Sequence, residues 1–198
     1  MSIWDERYGG EEFFYGTEPN AFLVSQRGLL KPGMSCLAVA DGEGRNGVWL
    51  AEQGLDVLSL DASPVAQAKA RQLAQRRGVQ MRFEQADLLA WQSEERFDVL
   101  AAIFIQFVGP ELRPAQFDNL KRHLKPGGLL LLQGYTPRQL EFKTGGPSQV
   151  ENLYTEAMLS GLCADMEIVD LREHDSVIRE GAGHNGLSAL IDLVARKR

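Results

Sequence analysis

The sequence is poor in cysteine, with only Cys36 and Cys163 in 198 residues. Neither has a partner at metal-ligand spacing, so both read as buried thiols of a reducing compartment and no metal site is expected. Long apolar runs are missing as well. The longest, Leu100 to Val108, is interrupted by Gln106 and falls far short of the roughly 20 residues that cross a bilayer. The opening residues, Met-Ser-Ile-Trp-Asp-Glu-Arg-Tyr, offer neither an apolar stretch nor a small-residue cleavage site. No secretory signal or membrane span is expected, and the cytoplasm is the expected location. Positive charge is also scarce: 21 Lys and Arg against 27 Asp and Glu leave a net charge of −6. A general nucleic-acid binder usually carries a basic face, and none is visible in this count. Internal repeats and low-complexity segments are absent too.

What is present is an ordinary globular composition, 44% hydrophobic and 24% charged. The length suits one domain over residues 1–198. Short apolar runs alternate with longer amphipathic ones. Met34–Ala40, Asp56–Asp61, Gln80–Ala86, Phe97–Ile105 and Leu129–Tyr135 read as strands, several apolar throughout, as buried parallel strands are. Helices are expected over Gly44–Gln53, from Ser63 (with Pro64 in the first turn) to Gly78, and over 110–124. This alternation predicts an α/β fold, a doubly wound, Rossmann-like sheet of seven strands. A helix over Gln149–Gly161 precedes two strand-like runs, Met166–Glu173 and Gly186–Arg196, with no helix between them. Such a pair must be antiparallel, so residues 166–196 should form a terminal hairpin. Residues 1–18 are aromatic and charged and belong to none of this; a lid over the site is expected there, with a helix starting near Pro19.

Open parallel sheets bind ligands beyond the carboxyl ends of their strands. That rule selects the loops 41–47, 61–64, 87–89, 105–110, 135–148 and 174–185. In the first of them Gly42, Gly44 and Gly47 have GxGxxG spacing between a strand and a helix, which lets a ligand approach the backbone. Asp61 ends the next strand, where a carboxylate can accept both hydroxyls of a ribose. A dinucleotide and S-adenosylmethionine share this geometry. Asp41 and Glu43 separate them, because a pyrophosphate about 5 Å from either acid would be repelled by about 3 kcal/mol at an effective dielectric near 20. A sulfonium would be attracted. An NAD(P)-dependent oxidoreductase and a non-catalytic S-adenosylmethionine-binding module stay open as alternatives.

Ala-Asp-Gly-Glu-Gly-Arg-Asn-Gly with Asp61, Gln85-Ala-Asp-Leu88, Phe97-Asp-Val-Leu and Leu124-Lys-Pro-Gly-Gly-Leu-Leu-Leu-Leu132 resemble the class I S-adenosylmethionine-dependent methyltransferases. Trp4-Asp-Glu-Arg-Tyr8 and Tyr15-Gly-Thr-Glu-Pro-Asn20 resemble the branch around the tellurite-resistance and thiopurine methyltransferases. One position departs from the pattern: where the family has an acid two residues before the first glycine, this chain has Ala40, and Asp41 or Glu43 is left to take that role. The resemblance implies S-adenosylmethionine as cofactor and S-adenosylhomocysteine as product. It places the methionyl end on the loop of Asp41, Gly42, Glu43, Gly44 and Asn46, the ribose on Asp61, and the adenine among Ala62, Asp87 and Leu88. Phe104, Ile105 and Gln106 would line the cleft, with Tyr15 covering it.

The stretch after the fourth strand, Phe104-Ile-Gln-Phe-Val-Gly-Pro110, lacks the Asn/Asp-Pro-Pro-aromatic motif of amino-methylating enzymes and the Pro-Cys pair of cytosine-carbon methylation. With the negative charge, this disfavours a nucleic-acid partner and points to a small-molecule methyl acceptor. A thiol, a metalloid oxyanion or a similar soft or anionic nucleophile needs positioning more than a base. Arg7, Arg179 and His184 are the candidates to position it, the last two in a loop expected over 174–185. A hydroxyl nucleophile would need a base, and His184 is the natural one.

Overall fold

The computed structural model describes residues 3–198; Met1 and Ser2, the start of the expected lid, lie outside the described residues. A short helix α1 (Ile3–Tyr8) and an irregular aromatic segment lead to α2 (Ala21–Ser25). Asn20 caps α2, its Oδ1 accepting from the Leu23 amide at 3.1 Å. Then follow β1 (Ser35–Val39), α3 (Arg45–Glu52), β2 (Asp56–Asp61), α4 (Pro64–Arg77), β3 (Arg82–Gln85), β4 (Phe97–Ile103), α5 (Arg113–Arg122) and β5 (Leu124–Tyr135). The chain ends with α6 (Gln139–Phe142), α7 (Glu156–Leu162), β6 (Met166–Glu180) and β7 (His184–Lys197).

The seven strands form one sheet in the order β3-β2-β1-β4-β5-β7-β6. The first five run parallel, and β7 and then β6 add antiparallel. Alternate residues of each central strand feed two cores. Leu37, Leu58, Leu100, Leu130 and Leu193 pack with Phe117 and Tyr154 on one face. Cys36, Val57, Val99, Leu131 and Val194 pack with Leu23 and Leu50 on the other. Both faces are covered, which is why the strands read as apolar throughout. Both cysteines are free and buried, and burial pushes their thiols up, that of Cys163 to about 11.

Helix α4 matches its sequence signals: Ser63 Oγ accepts from the Ala66 amide, Pro64 opens the helix and Gly78 closes it with φ +69°. Strand β5 starts earlier than expected. Leu124 pairs with Phe97, the register then jumps to Val99 with Leu129, and the residues between bulge out at Gly127, φ +79°. The helix expected over 149–161 is broken. A 3₁₀ turn, Val150–Asn152, leads through extended Leu153 to Tyr154, whose amide donates to Tyr135 O at 2.9 Å. Only then does Thr155 cap α7.

The largest correction concerns the hairpin. Residues 174–185 are not a long loop; β6 runs on to Glu180 and β7 starts at His184, leaving the turn Gly181-Ala182-Gly183. Ladder pairing continues from His174 with Leu190 to Glu180 with His184. Ile178 and Glu180 point inward while Val177 and Arg179 point outward, so period-2 alternation persists to the tip. The tip docks on the N-terminal segment: the Ala182 amide donates to Phe14 O at 2.8 Å. Gly181 has φ +62°, and a Cβ there would overlap Phe14 O and lie 2.7 Å from Gly16 N. We expect Gly181→Val to undock the tip. Amide exchange at residues 13–16 should rise at least tenfold while the central sheet is unchanged; unaltered exchange at 13–16 would contradict this packing.

Candidate active site

The carboxyl ends of β1, β2 and β4 open into one cleft of about 980 Å³. This is where strand order reverses, the usual ligand position of an open α/β sheet. The loop leaving β1 turns through three left-handed residues, Ala40 (φ +48°), Gly42 (φ +58°) and Gly44 (φ +85°). Glycine adopts this conformation without strain, whereas at Ala40 it costs on the order of 1 kcal/mol. Close packing also requires glycine at position 44, because a Cβ there would sit 2.7 Å from Ala70 Cβ.

Asp41 and Glu43 line the cleft, but each already has partners. Asp41 Oδ1 accepts from the Gly47 amide at 3.0 Å and Oδ2 from Ser59 Oγ at 2.7 Å, tying the loop to β2. Glu43 forms a buried ion pair with Lys69 at 2.8 Å and accepts from the Tyr15 amide at 3.4 Å. Asp61, Asp87, Arg7 and Arg45 line the same cleft. Asp61 holds the loop from the other side, accepting from the Gly42 amide and the Ser63 amide, each at 2.8 Å. Burial pushes its carboxyl up against the pull of those two amides. A carboxylate has about four acceptor sites, so the two that remain suit a ribose diol.

Ala62, Asp87 and Leu88 lie together at the end of β2 and after β3, all lining the cleft. Asp87 Oδ1 caps the Leu89 amide at 2.9 Å, leaving the other oxygen of this exposed residue for a donor such as an adenine amine. Asn46 also lines the cleft, its Oδ1 accepting from the Asn20 amide at 2.9 Å. Ile105 does not line it. Phe104 takes φ +56°, an outlier for a bulky residue. That turn throws the Phe104 ring into the cleft and returns Ile105 to the core, fully buried. Gln106 lines the wall as a staple: Nε2 donates to Tyr135 O and Asn152 O, and Oε1 accepts from the Tyr135 amide.

The far end of the cleft is aromatic. The His184 ring lies 4.5 Å from Tyr15, 4.5 Å from Phe104 and 5.5 Å from Tyr135, centroid to centroid. Glu180, which the sequence reading missed, stands behind it. Its Oε2 takes Arg45 Nη2 at 2.7 Å and faces His184 Nδ1 at 3.4 Å, while Oε1 accepts from Asn20 Nδ2 at 2.9 Å. Burial alone would raise the Glu180 carboxyl; the His184 hydrogen bond and the Arg45 guanidinium reverse this and hold it at about 2. Burial lowers His184, which leaves its imidazole neutral near pH 7. Arg7 lines the cleft, donating to Tyr15 Oη at 3.1 Å and lying over Trp4 and Phe14. Arg179 is exposed on the outer side of β6, away from the cleft, because strand alternation turns it opposite to Glu180. Tyr135, Asn152 and the loop 145–149 also line the far end. Only the length of that loop signals them in the sequence.

Burial pushes the Asp41 carboxyl up from 3.8 to about 6, against its bonds from Ser59 and Gly47. The folded protein therefore holds this proton more tightly than the unfolded chain does. The associated stability is full below pH 4 and is lost as pH rises through about 6, a change of roughly 3 kcal/mol. Glu180 titrates below this window. We expect Asp41→Asn to flatten the fall in urea-measured stability between pH 4 and 7; an unchanged slope would contradict the assignment.

A family profile described as a methyltransferase domain matches residues 36–128. No curated protein is similar enough in sequence to register as a relative. Among solved structures, TehB from Haemophilus influenzae is 20% identical with a TM-score of 0.74, over 98% of this chain and 66% of that one. The chain thus spans just under two-thirds of the length of TehB. The N-methyltransferase NodS from Bradyrhizobium japonicum WM9, in complex with S-adenosylhomocysteine, is 14% identical with a TM-score of 0.72 over 98% and 96%. The magnesium protoporphyrin IX methyltransferase ChlM from Synechocystis PCC 6803, with bound S-adenosylhomocysteine, is 21% identical with a TM-score of 0.68 over 90% and 80%. These likenesses establish the fold. A methyltransferase-domain profile over residues 36–128 is thus seated on a fold shared with methyltransferases of known structure.

Proposed function

We propose that the chain is a class I S-adenosylmethionine-dependent methyltransferase acting on a small molecule held between Tyr15, Phe104, Tyr135 and His184, with residues 3–16 and the hairpin tip as its lid. The observation that carries this reading is the continuity of the cleft, from Asp61 and Asp87 at one end to His184 at the other. A cavity of about 980 Å³ lies at the upper end of the range for small-molecule sites. When bound, S-adenosylmethionine supplies a methyl carbon carried on a sulfonium. Asp61 would hold its ribose, Asp87 and Leu88 its adenine, and the 41–46 loop its methionyl end. The aromatic faces of the lid favour a sulfonium and keep water from the reacting atoms.

Among acceptors, a thiol or a metalloid oxyanion would rely on Arg7, the lining guanidinium that is not in an ion pair with Glu180. A hydroxyl would rely on His184. Two measurements test the whole reading. Asp61→Ala should weaken S-adenosylhomocysteine binding tenfold or more by calorimetry, with NADH giving no heat; unchanged affinity would move the ribose elsewhere. A labelled-methyl screen over thiols, tellurium and selenium oxyanions and phenols should find turnover, and Tyr15→Ala should raise the acceptor KM at least fivefold. Label entering only protein or nucleic-acid fractions would overturn the small-molecule reading.

A further inference from the structure

We propose that Glu180 and His184 form a proton-accepting dyad and that the acceptor is a neutral hydroxyl on a planar conjugated ring, such as a phenol. This rests on the small-molecule reading above and narrows it. Glu180 and His184 are directly paired across the three-residue turn of the hairpin, so their side chains share one face. Both carboxylate oxygens of Glu180 are held, by Arg45 and Asn20, so the acid is fixed before any ligand arrives. The hydrogen-bond network assigns the His184 proton to Nδ1, facing Glu180 Oε2. Nε2 is then the lone-pair nitrogen, with no protein partner among the described residues, on a side chain that lines the cleft. This is the proton-accepting geometry of a general base with its orienting acid.

The surroundings select the acceptor. Phe104 stacks on Tyr135 at 4.7 Å and 24°, and with Tyr15 these rings wall His184 on three sides. Such walls favour a flat apolar body. The buried Tyr135 Oη of the same wall has no partner among the described residues. Cationic help for an anion is scarce: Arg45 is neutralised by Glu180 at 2.7 Å, Arg179 faces outward, and Arg7 lies against Trp4 and Phe14. The groups facing His184 are Glu180 from β6, Arg45 from α3, Arg7 from α1, and the neutral rings of Tyr15, Phe104 and Tyr135. A pre-ionised acceptor would find little stabilisation here, whereas a neutral hydroxyl finds a base. The hydroxyl proton passes to His184 Nε2 while the oxygen's electron pair bonds the methyl carbon and the broken C–S pair stays on sulfur. Glu180 stabilises the imidazolium until the proton leaves to water. His184 touches the acceptor; Glu180 acts through it as a positioning residue.

The test uses the full chain with labelled S-adenosylmethionine, 2-naphthol and 7-hydroxycoumarin as phenols, and thiophenol and selenite as ionised controls. We expect turnover on the phenols, with kcat/KM rising through a single ionisation below pH 6.5 to a plateau. His184→Gln should lose 100-fold or more on phenols and under tenfold on thiophenol, with S-adenosylhomocysteine affinity within twofold. Glu180→Gln should lose at least tenfold and displace the pH midpoint, and Glu180→Asp should restore part of both. Because Glu180→Gln leaves Arg45 buried without its partner, nitrogen-15 NMR of the unaltered protein gives an independent reading: the neutral His184 should carry its proton on Nδ1. An Nε2–H tautomer, or equal losses on phenols and thiophenol, would overturn the dyad. Turnover of thiophenol or selenite without phenols would overturn this inference and leave the small-molecule reading standing. Turnover on none of these probes would overturn both.

Discussion

The buried ion pair between Arg45 and Glu180 joins the two halves of this site. Arg45 opens α3, directly after the glycine loop, and Glu180 ends β6 beside the aromatic rings around His184. Their 2.7 Å contact is shielded from solvent, both side chains being under 10% exposed. Removing one partner of such a pair typically costs about 3–5 kcal/mol, since the other is left charged in a poor solvent. The pair thus couples the hairpin's position to the loop's, although the two lie 135 residues apart in the chain.

Further polar contacts extend that bridge through the sheet. Asn20 caps α2, donates to Glu180 and donates to Gln133 on β5 at 2.7 Å. Gln133 donates to Asp192 on β7, which also meets His174 and Arg172 of β6 at the surface. A fully partnered network of this kind rigidifies the elements it spans. Here it fixes the carboxyl ends of β5 and β6 and the amino end of β7 around one wall of the cleft. The glycine loop gains its rigidity separately, from Asp41 on Ser59 and Gly47 and from Asp61 on Gly42.

The end of the cleft at β1, β2 and β3 was legible in the sequence because its signals are local. A glycine loop after an apolar strand, an acid closing the next strand, and an Asp-Leu pair after the third each follow their strand within a few residues. The hairpin was not legible. Glycine at 181, 183 and 186 around polar residues resembles a loop, and the inward side chains Glu180 and His184 are polar, so no apolar alternation marks the strand. Their burial is made possible by Arg45 and Asn20, which arrive from the far end of the chain. Arg179 was therefore favoured over its neighbour, although one residue of register sends them to opposite faces. The same sensitivity separates Ile105 from Phe104, where one positive φ decides which side chain lines the cleft. Asp41 and Glu43 line the cleft, but their partners Ser59 and Lys69 depend on how α4 and β2 close over the loop.

The proposed cofactor, base and acceptor positions give the cleft a direction, from Asp87 to His184. A crystal structure of the full chain with S-adenosylhomocysteine tests that direction most directly. The ribose hydroxyls should lie on Asp61, the adenine between Ala62 and Leu88, and the sulfur should face the His184 end. A ligand seated with its sulfur turned away from His184, or with its adenine among Phe104 and Tyr135, would contradict it.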